Sequence, residues 1–325
     1  MMCAVTIIVG SIIENLFHTH SARAYMEGGQ FQKATTCEGK VILITGANTG
    51  IGKETAKELL RRGGKIYIAC RSLHRASEAK RELIEETGQT NIHVRYMDLS
   101  SLESVRTFAR TFLEEEPRLD ILINNAGVMA TPRTLTREGY EVQFGVNHLG
   151  HFLLTNLLLD RLKASAPSRI VTVTSKCHKH GEINRNDLHG RHEYNPFAAY
   201  SNSKLANLLF SNELAKRLEG TGVTTYAVHP GSVYTDLQRH YEIVCPLLDT
   251  VLADWIMLLC FKSARAGAQT TIYAALDDEL AGKTGKYYVD CQEKLPHELG
   301  LDEDTARWLW MESEKLTGIT TRPSS

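Results

Sequence analysis

No two cysteines of this chain form a Cys-x-x-Cys pair: Cys3, Cys37, Cys70, Cys177, Cys245, Cys260 and Cys291 are scattered, and seven is an odd number. This speaks against a disulfide framework and a structural zinc site, and a reducing compartment fits best. Net charge is equally scarce. The formal value is −1 with no basic stripe, so nucleic-acid binding has no electrostatic support. No apolar run at the N-terminus reaches the roughly 20 residues that cross a bilayer. Ala4 to Ile13 is uncharged and apolar and stops at Glu14. It lacks a positive n-region before it and a clear small-residue cleavage site after it, against a secretory signal. Arg23 and Lys33 follow the run, which favours a short N-terminal anchor with the remaining chain on the cytosolic side; a surface-packed tail is the alternative. Internal repeats and composition breaks are also missing. With 42% hydrophobic and 23% charged residues, the 325-residue chain reads as one folded domain.

What is present, from Lys40 onward, is alternation. Val41 to Ile44 is a short continuous apolar run, the signature of a strand buried on both faces. Further strands are expected at 66–69, 93–97, 121–123, 170–174, 224–228 and 287–289, seven in all. Helical patterns lie between them at 52–62, 73–87, 102–115, 140–164, 198–218 and 263–276, and a helical tail at 303–316. Strands separated by helices predict a single doubly wound α/β domain of Rossmann type, its mainly parallel sheet covered by helices on both faces. Residues 1–38 read as the apolar segment and a linker, 39–318 as the domain, and 319–325 as a tail.

Gly46, Asn48, Thr49, Gly50, Ile51 and Gly52 fall between the first strand and the first helix. Glycine there lets the backbone approach a pyrophosphate, and the helix N-terminus offers its unpaired N–H groups to the anion. The second strand ends Ala69-Cys70-Arg71, with no acid at its tip to hold an NAD ribose. Arg71 can pair with a 2′-phosphate, and Lys53 and Arg75 add positive potential, so NADP is expected; the alternative for Arg71 is a solvated charge at a strand end. Asp98 and Leu99 end the third strand, where the carboxylate can accept from an adenine amino group. Asn125, Ala126 and Gly127 end the fourth, where small residues admit the cofactor. Asp, Asn and Gly also favour ordinary turns.

Tyr200 and Lys204 lie one helical turn apart on a shared face. A free tyrosine titrates near 10, and a neighbouring ammonium favours its phenolate, so the pair can work as an acid/base. The spacing alone favours an ordinary helix with an exposed lysine and a half-buried tyrosine, and only the rest of the chain overturns that reading.

Thr45 to Gly52, Asp98-Leu99, Asn124 to Gly127, Asn147, Ser175, Tyr200 to Lys204 and Pro230-Gly231 resemble, in order and placement, the short-chain dehydrogenase/reductase family, over roughly residues 39–289. Thr45 to Leu59, Asn124 to Met129, Val146 to Thr155 and Ser203 to Asn207 look like the retinol dehydrogenases that act as NADPH-dependent retinal reductases. The resemblance implies hydride transfer between NADP and a hydrophobic alcohol/carbonyl pair of the retinol/retinal type. It also implies an enzyme on the endoplasmic reticulum membrane facing the cytosol, with a cytoplasmic enzyme as the alternative. A steroid or fatty aldehyde substrate, or a non-catalytic NADP sensor, are the rival readings. Carried over residue by residue, Tyr200 is the proton donor or base, Ser175 binds the substrate oxygen, and Lys204 lowers the tyrosine pKa and holds the nicotinamide ribose. Asn147 holds a water leading from Lys204, and Pro230, Gly231 and Val233 pass beside the nicotinamide.

The interval from Ser175 to Tyr200 is long for the family and carries His178, His180, His189 and His192. With no carboxylate or thiolate at a clear ligand spacing, it reads as a polar loop at the pocket rim, and no metal is assigned. Beyond Gly231, apolar pairs through 246–259 give one greasy helical face, a candidate substrate lid spanning about 232–262. That face can cover a lipid chain, touch a membrane, or belong to an ordinary core helix.

Overall fold

The computed structural model describes residues 27–233 and 261–320. The apolar run at 4–13 lies outside them, as does the candidate lid apart from 232–233 and 261–262. Strand β1 (Val41–Thr45) is buried at every position, as its unbroken apolar sequence requires. Helix α1 (Gly50–Arg61), β2 (Lys65–Cys70), α2 (Leu73–Thr87), β3 (Ile92–Tyr96), α3 (Leu102–Glu115) and β4 (Ile121–Asn124) follow. A short helical turn α4 (Val142–Phe144) leads through a π-helical turn (Gly145–Leu149) into α5 (Gly150–Ala164). Then come β5 (Ser168–Val173), α6 (Pro196–Arg217), β6 (Val223–His229), α7 (Ala264–Leu276), β7 (Lys286–Val289), β8 (Gln292–Glu293) and α8 (Glu303–Thr317).

The strands form one sheet in the order β3-β2-β1-β4-β5-β6-β7-β8. All pairings are parallel except β7 with β8, which is antiparallel. Leu43 of β1 sits between Tyr67 of β2 and Leu122 of β4. At this point the winding reverses, and a crevice opens beyond the carboxyl ends of β1 and β4, where ligands bind in such sheets.

Each face is covered. Ile42, Ile44, Ile66, Ile68 and Ile123 pack with Leu59 and Leu60 of α1 and Ile272 of α7. On the other face, Leu43, Leu122 and Ile170 pack with Phe108 of α3, Phe152 of α5, Phe210 of α6 and Trp310 of α8. Trp310 closes this second layer: its ring stacks on Phe210 at 5.8 Å, meets Phe152 edge-on at 4.9 Å, and lies 4.3 Å from the Arg217 guanidinium. Residues read as linker also join the body, since Phe31 and Cys37 are buried in the first cluster.

The sheet has eight strands where the sequence predicts seven. β8 holds two exposed residues, too few to alternate. It is returned by Asp290 and Cys291, whose φ angles of 53° and 56° make a tight hairpin from a pair that does not resemble Asn-Gly. The helical stretch expected from Tyr140 begins at Val142 and is broken by the π-helical turn, which apolar periodicity does not distinguish from an α-helix.

Candidate active site

The glycine loop folds against the turn after β4. Gly46 has φ +67°, and a Cβ there would lie 2.8 Å from the Ala126 side chain. A Cβ on Gly52 would come within 2.6 Å of the Gly46 carbonyl and 2.5 Å of Asn125 Nδ2. Thr45 holds the two segments together: its Oγ1 accepts the N–H groups of Asn125 (3.0 Å) and Ala126 (2.9 Å), and its carbonyl accepts Asn125 Nδ2 at 2.9 Å. Helices α2, α3, α6, α7 and α8 all start with a side chain capping a backbone N–H. Helix α1 does not: Thr49 makes no cap bond, and its first turn holds no acid. Its start faces the crevice as bare N–H donors, a cradle for a phosphate.

A cleft of about 260 Å³ there is lined by Gly46, Asn48 to Gly52, Arg71, Asp98, Leu99 and Asn125 to Gly127. Arg71 is exposed at its edge, beside Ser72 and Arg75. Lys53, read as a source of positive potential, is ion-paired with Glu82. One oxygen of Asp98, which lines the cleft, is taken by the Ser100 N–H (3.0 Å) and Oγ (2.7 Å). These residues fit a dinucleotide by backbone approach, bare donors and a cationic rim.

Ile51, Asn125 and Gly127 line both this cleft and a second cavity of about 350 Å³, so the two are continuous. The second holds Ser175, Tyr200, Lys204, Pro230, Gly231 and Val233 together with Met129, Cys177, His180, Phe197, His229 and Phe261. Tyr200 and Lys204 are 4% and 3% exposed, which removes the reading of an exposed lysine on a surface helix. Asn195 presents them by starting α6, accepting from the N–H groups of Phe197 and Ala198 with Pro196 in the first turn.

Lys204 Nζ donates to the Val173 carbonyl at 3.1 Å and lies 5.7 Å from the Tyr200 ring centre. Burial pushes the Lys204 ammonium down to about 8, against a rise from Cys177. Burial also pushes the Tyr200 phenol up; Cys177 adds to this, and a hydrogen bond with the Ser175 side chain opposes it. Desolvation is the largest influence on both groups. Ser175 Oγ accepts the Cys177 N–H at 3.2 Å, which leaves the hydroxyl hydrogen to donate into the cavity.

Asn147 lies outside the cavity lining and is fully buried in the π-helical turn. Its Oδ1 accepts from Val128 N (2.8 Å), and its Nδ2 donates to the Val128 carbonyl (2.9 Å) and to Ser203 Oγ (2.9 Å). Ser203 Oγ passes its own hydrogen to the Tyr200 carbonyl at 2.7 Å. Through these bonds Asn147 clamps the loop after β4 onto α6. Its carbonyl accepts from His151 Nδ1, and His151 Nε2 meets Thr45 Oγ1, both at 2.9 Å.

Sequence reading missed Thr45, His151, Ser203, Met129, Phe197 and Phe261, of which Thr45, Met129, His151 and Ser203 stand inside the quoted motifs and Phe197 and Phe261 do not. The four loop histidines also separate. His178 and His189 are buried, His180 lines the cavity and His192 is exposed. Among the described residues, no group of three or more His, Cys, Asp or Glu is arranged to hold a metal.

The short chain dehydrogenase family model matches residues 40–243. Retinol dehydrogenase 13 of Homo sapiens is 49% identical over 296 residues, covering 91% of this chain and 89% of that protein. Among solved structures, an uncharacterized protein of Mycobacterium paratuberculosis superposes with a TM-score of 0.72 at 37% identity, covering 90% of this chain and 99% of that one. The RhlG/NADP active-site complex of Pseudomonas aeruginosa superposes at 0.63 and 25% identity, covering 79% of this chain and 96% of that one.

Proposed function

The chain belongs to the short chain dehydrogenase family and is an oxidoreductase using a nicotinamide cofactor, and on that premise we propose that it works with NADP on a hydrophobic alcohol/carbonyl pair, retinol/retinal. One observation carries this reading: buried Tyr200, Lys204 and Ser175 share a cavity that opens directly into the cleft under the glycine loop. A carbonyl bound in that cavity would present its oxygen to the hydroxyls of Ser175 and Tyr200, next to the cleft that would hold the cofactor.

The nicotinamide, when bound, supplies or takes the hydride at the substrate carbon. Ser175 donates its hydroxyl hydrogen to the carbonyl oxygen and polarises it. Tyr200 gives that oxygen its proton in reduction and removes it in oxidation. Lys204, held by the Val173 carbonyl, keeps a positive charge beneath the phenol and would hold the ribose of a bound cofactor. Asn147 sets the loop after β4 against α6, so that the cofactor wall and the acid/base keep one spacing.

Arg71 with Arg75 at the rim, and the absence of an acid at the tip of β2, support NADP over NAD. The RhlG complex with NADP is consistent with this choice. Met129, Phe197, Val233 and Phe261 give the cavity apolar walls, and the name of the human relative points to a retinoid. The short apolar run at 4–13, followed by Arg23 and Lys33, supports placing the enzyme at the endoplasmic reticulum membrane with its active site toward the cytosol.

The test is a panel of retinal, a steroid ketone and a fatty aldehyde with NADPH and NADH, run beside Tyr200→Phe. NADPH-dependent formation of retinol with the highest kcat/KM is expected, with a loss of roughly 10³-fold or more in the variant while NADPH still binds. Reduction of the other carbonyls without retinal would overturn the retinoid assignment, and equal turnover by the variant would overturn the tyrosine mechanism.

A further inference from the structure

Ser175 is useful only while its Oγ faces Tyr200, and its own backbone does not hold it there unaided. Its carbonyl accepts two hydrogen bonds from one residue, His178: the backbone N–H at 3.1 Å and ring Nδ1 at 2.6 Å. The ring's far nitrogen, Nε2, accepts the backbone N–H of His297 at 3.3 Å. A carbonyl can only accept and an N–H can only donate, so the imidazole is fixed as the neutral Nδ1–H tautomer. The ring is fully buried, meets the edge of Tyr287 at 5.4 Å, and does not line the cavity. It therefore stands behind the serine, between the turn that follows β5 and the segment that follows β8, which are more than a hundred residues apart in sequence.

We propose that His178 is the positioning residue for Ser175, fixing the serine's backbone from behind by Nδ1–H while the C-terminal segment holds the ring through Nε2. This rests on the reading of Ser175 as the group that polarises the substrate carbonyl. With its carbonyl doubly held, Ser175 keeps the orientation in which Oγ takes the Cys177 N–H and turns its hydrogen into the cavity. Freed, the serine gains rotational freedom about its backbone, and each misoriented state removes the donor from the carbonyl oxygen. Burial lowers the His178 pKa, in keeping with the neutral tautomer.

Three variants of the full chain separate this role from plain structural support. An Asn amide reaches the place of Nδ1, whereas a Gln amide reaches that of Nε2. His178→Asn thus keeps the bond to Ser175, His178→Gln keeps the bond to His297, and His178→Phe keeps the ring and neither bond. With a carbonyl the parent reduces, kcat is expected within about threefold of the parent for His178→Asn and lower by roughly tenfold or more for His178→Gln and His178→Phe, with NADPH affinity unchanged in all three. Amide hydrogen exchange at Cys177 and His178, which needs no substrate, is expected to quicken in His178→Gln and His178→Phe and to match the parent in His178→Asn. Equal exchange in all variants, or parent-like kcat in His178→Gln, would overturn the assignment. A parent that reduces no carbonyl would instead sink the proposed function and leave the exchange data to decide the role of His178. Should His178→Phe fail to fold, the Asn/Gln pair decides alone.

Discussion

Arg71 is exposed at the end of β2, on the rim of the cleft. A guanidinium there meets a 2′-phosphate with paired charge-assisted bonds and gains little from a 2′-hydroxyl. Arg71→Ala is expected to weaken NADPH binding by roughly tenfold or more and NADH binding by less than about twofold, read by fluorescence titration of each cofactor. Matching losses would assign the 2′-phosphate to another group. Arg71 could be picked from the sequence because strand ends carry the site in this fold. Lys53 shows where that logic stops: its nearness to the glycine loop is legible, while its ion pair with Glu82 joins α1 to α2 and leaves no trace in local sequence. His178 and His151 are similar. Four histidines in one interval read as a polar rim or metal ligands, yet burial and a tautomer set by partners far along the chain decide what each does. Burial also acts on Tyr200 and Lys204, and residue spacing shows their charge while omitting their desolvation.

At the scale of elements, most helices and strands were readable because apolar runs and helical periods are local. The π-helical turn was not, since it changes the hydrogen-bond register without disturbing the apolar pattern. It matters because it sets Asn147 where it clamps Val128 and Ser203 at once. The contact between the glycine loop and the turn after β4 is likewise invisible as a contact, although its glycines stand out. Gly52→Ala puts a methyl group against the Gly46 carbonyl, backbone that has no room to retreat. Overpacking of this kind costs about 1–3 kcal/mol. The expected result is a lower melting temperature together with a loss of NADPH binding of roughly tenfold or more, since the displaced loop is the phosphate cradle. Unchanged cofactor affinity would show that the loop tolerates the shift.

Among the described residues burial lowers the pKa of five buried histidines, and of three of them far enough to matter for stability. Burial holds His148 down to about 3 and His151 and His229 down to about 4. In the unfolded chain each titrates near 6.5. Between pH 6.5 and 4 the unfolded chain takes up protons that the folded one refuses, so stability falls as the pH falls through this window. Each histidine contributes a loss on the order of 2 kcal/mol by pH 4.5, on top of any carboxylate titration. Urea midpoints measured from pH 7 to 4.5 should fall, and His148→Gln, which keeps a polar group near Ser313, should flatten that fall. A slope unchanged in the variant would assign the acid sensitivity elsewhere.

The strand order has a temporal consequence. β1 ends at Thr45, and its neighbour on one side, β2, ends at Cys70. Its other neighbour, β4, ends only at Asn124. At about 5–20 residues per second, a ribosome leaves β1 with one open edge, after β2 is made, for roughly 3–11 s. During that interval the emerging chain carries a nucleotide cradle without the Asn125 turn that closes it and without any of α6. The central strand of the finished sheet is thus a temporary edge strand during synthesis, and the period of greatest risk for sticking to other chains ends when β4 docks.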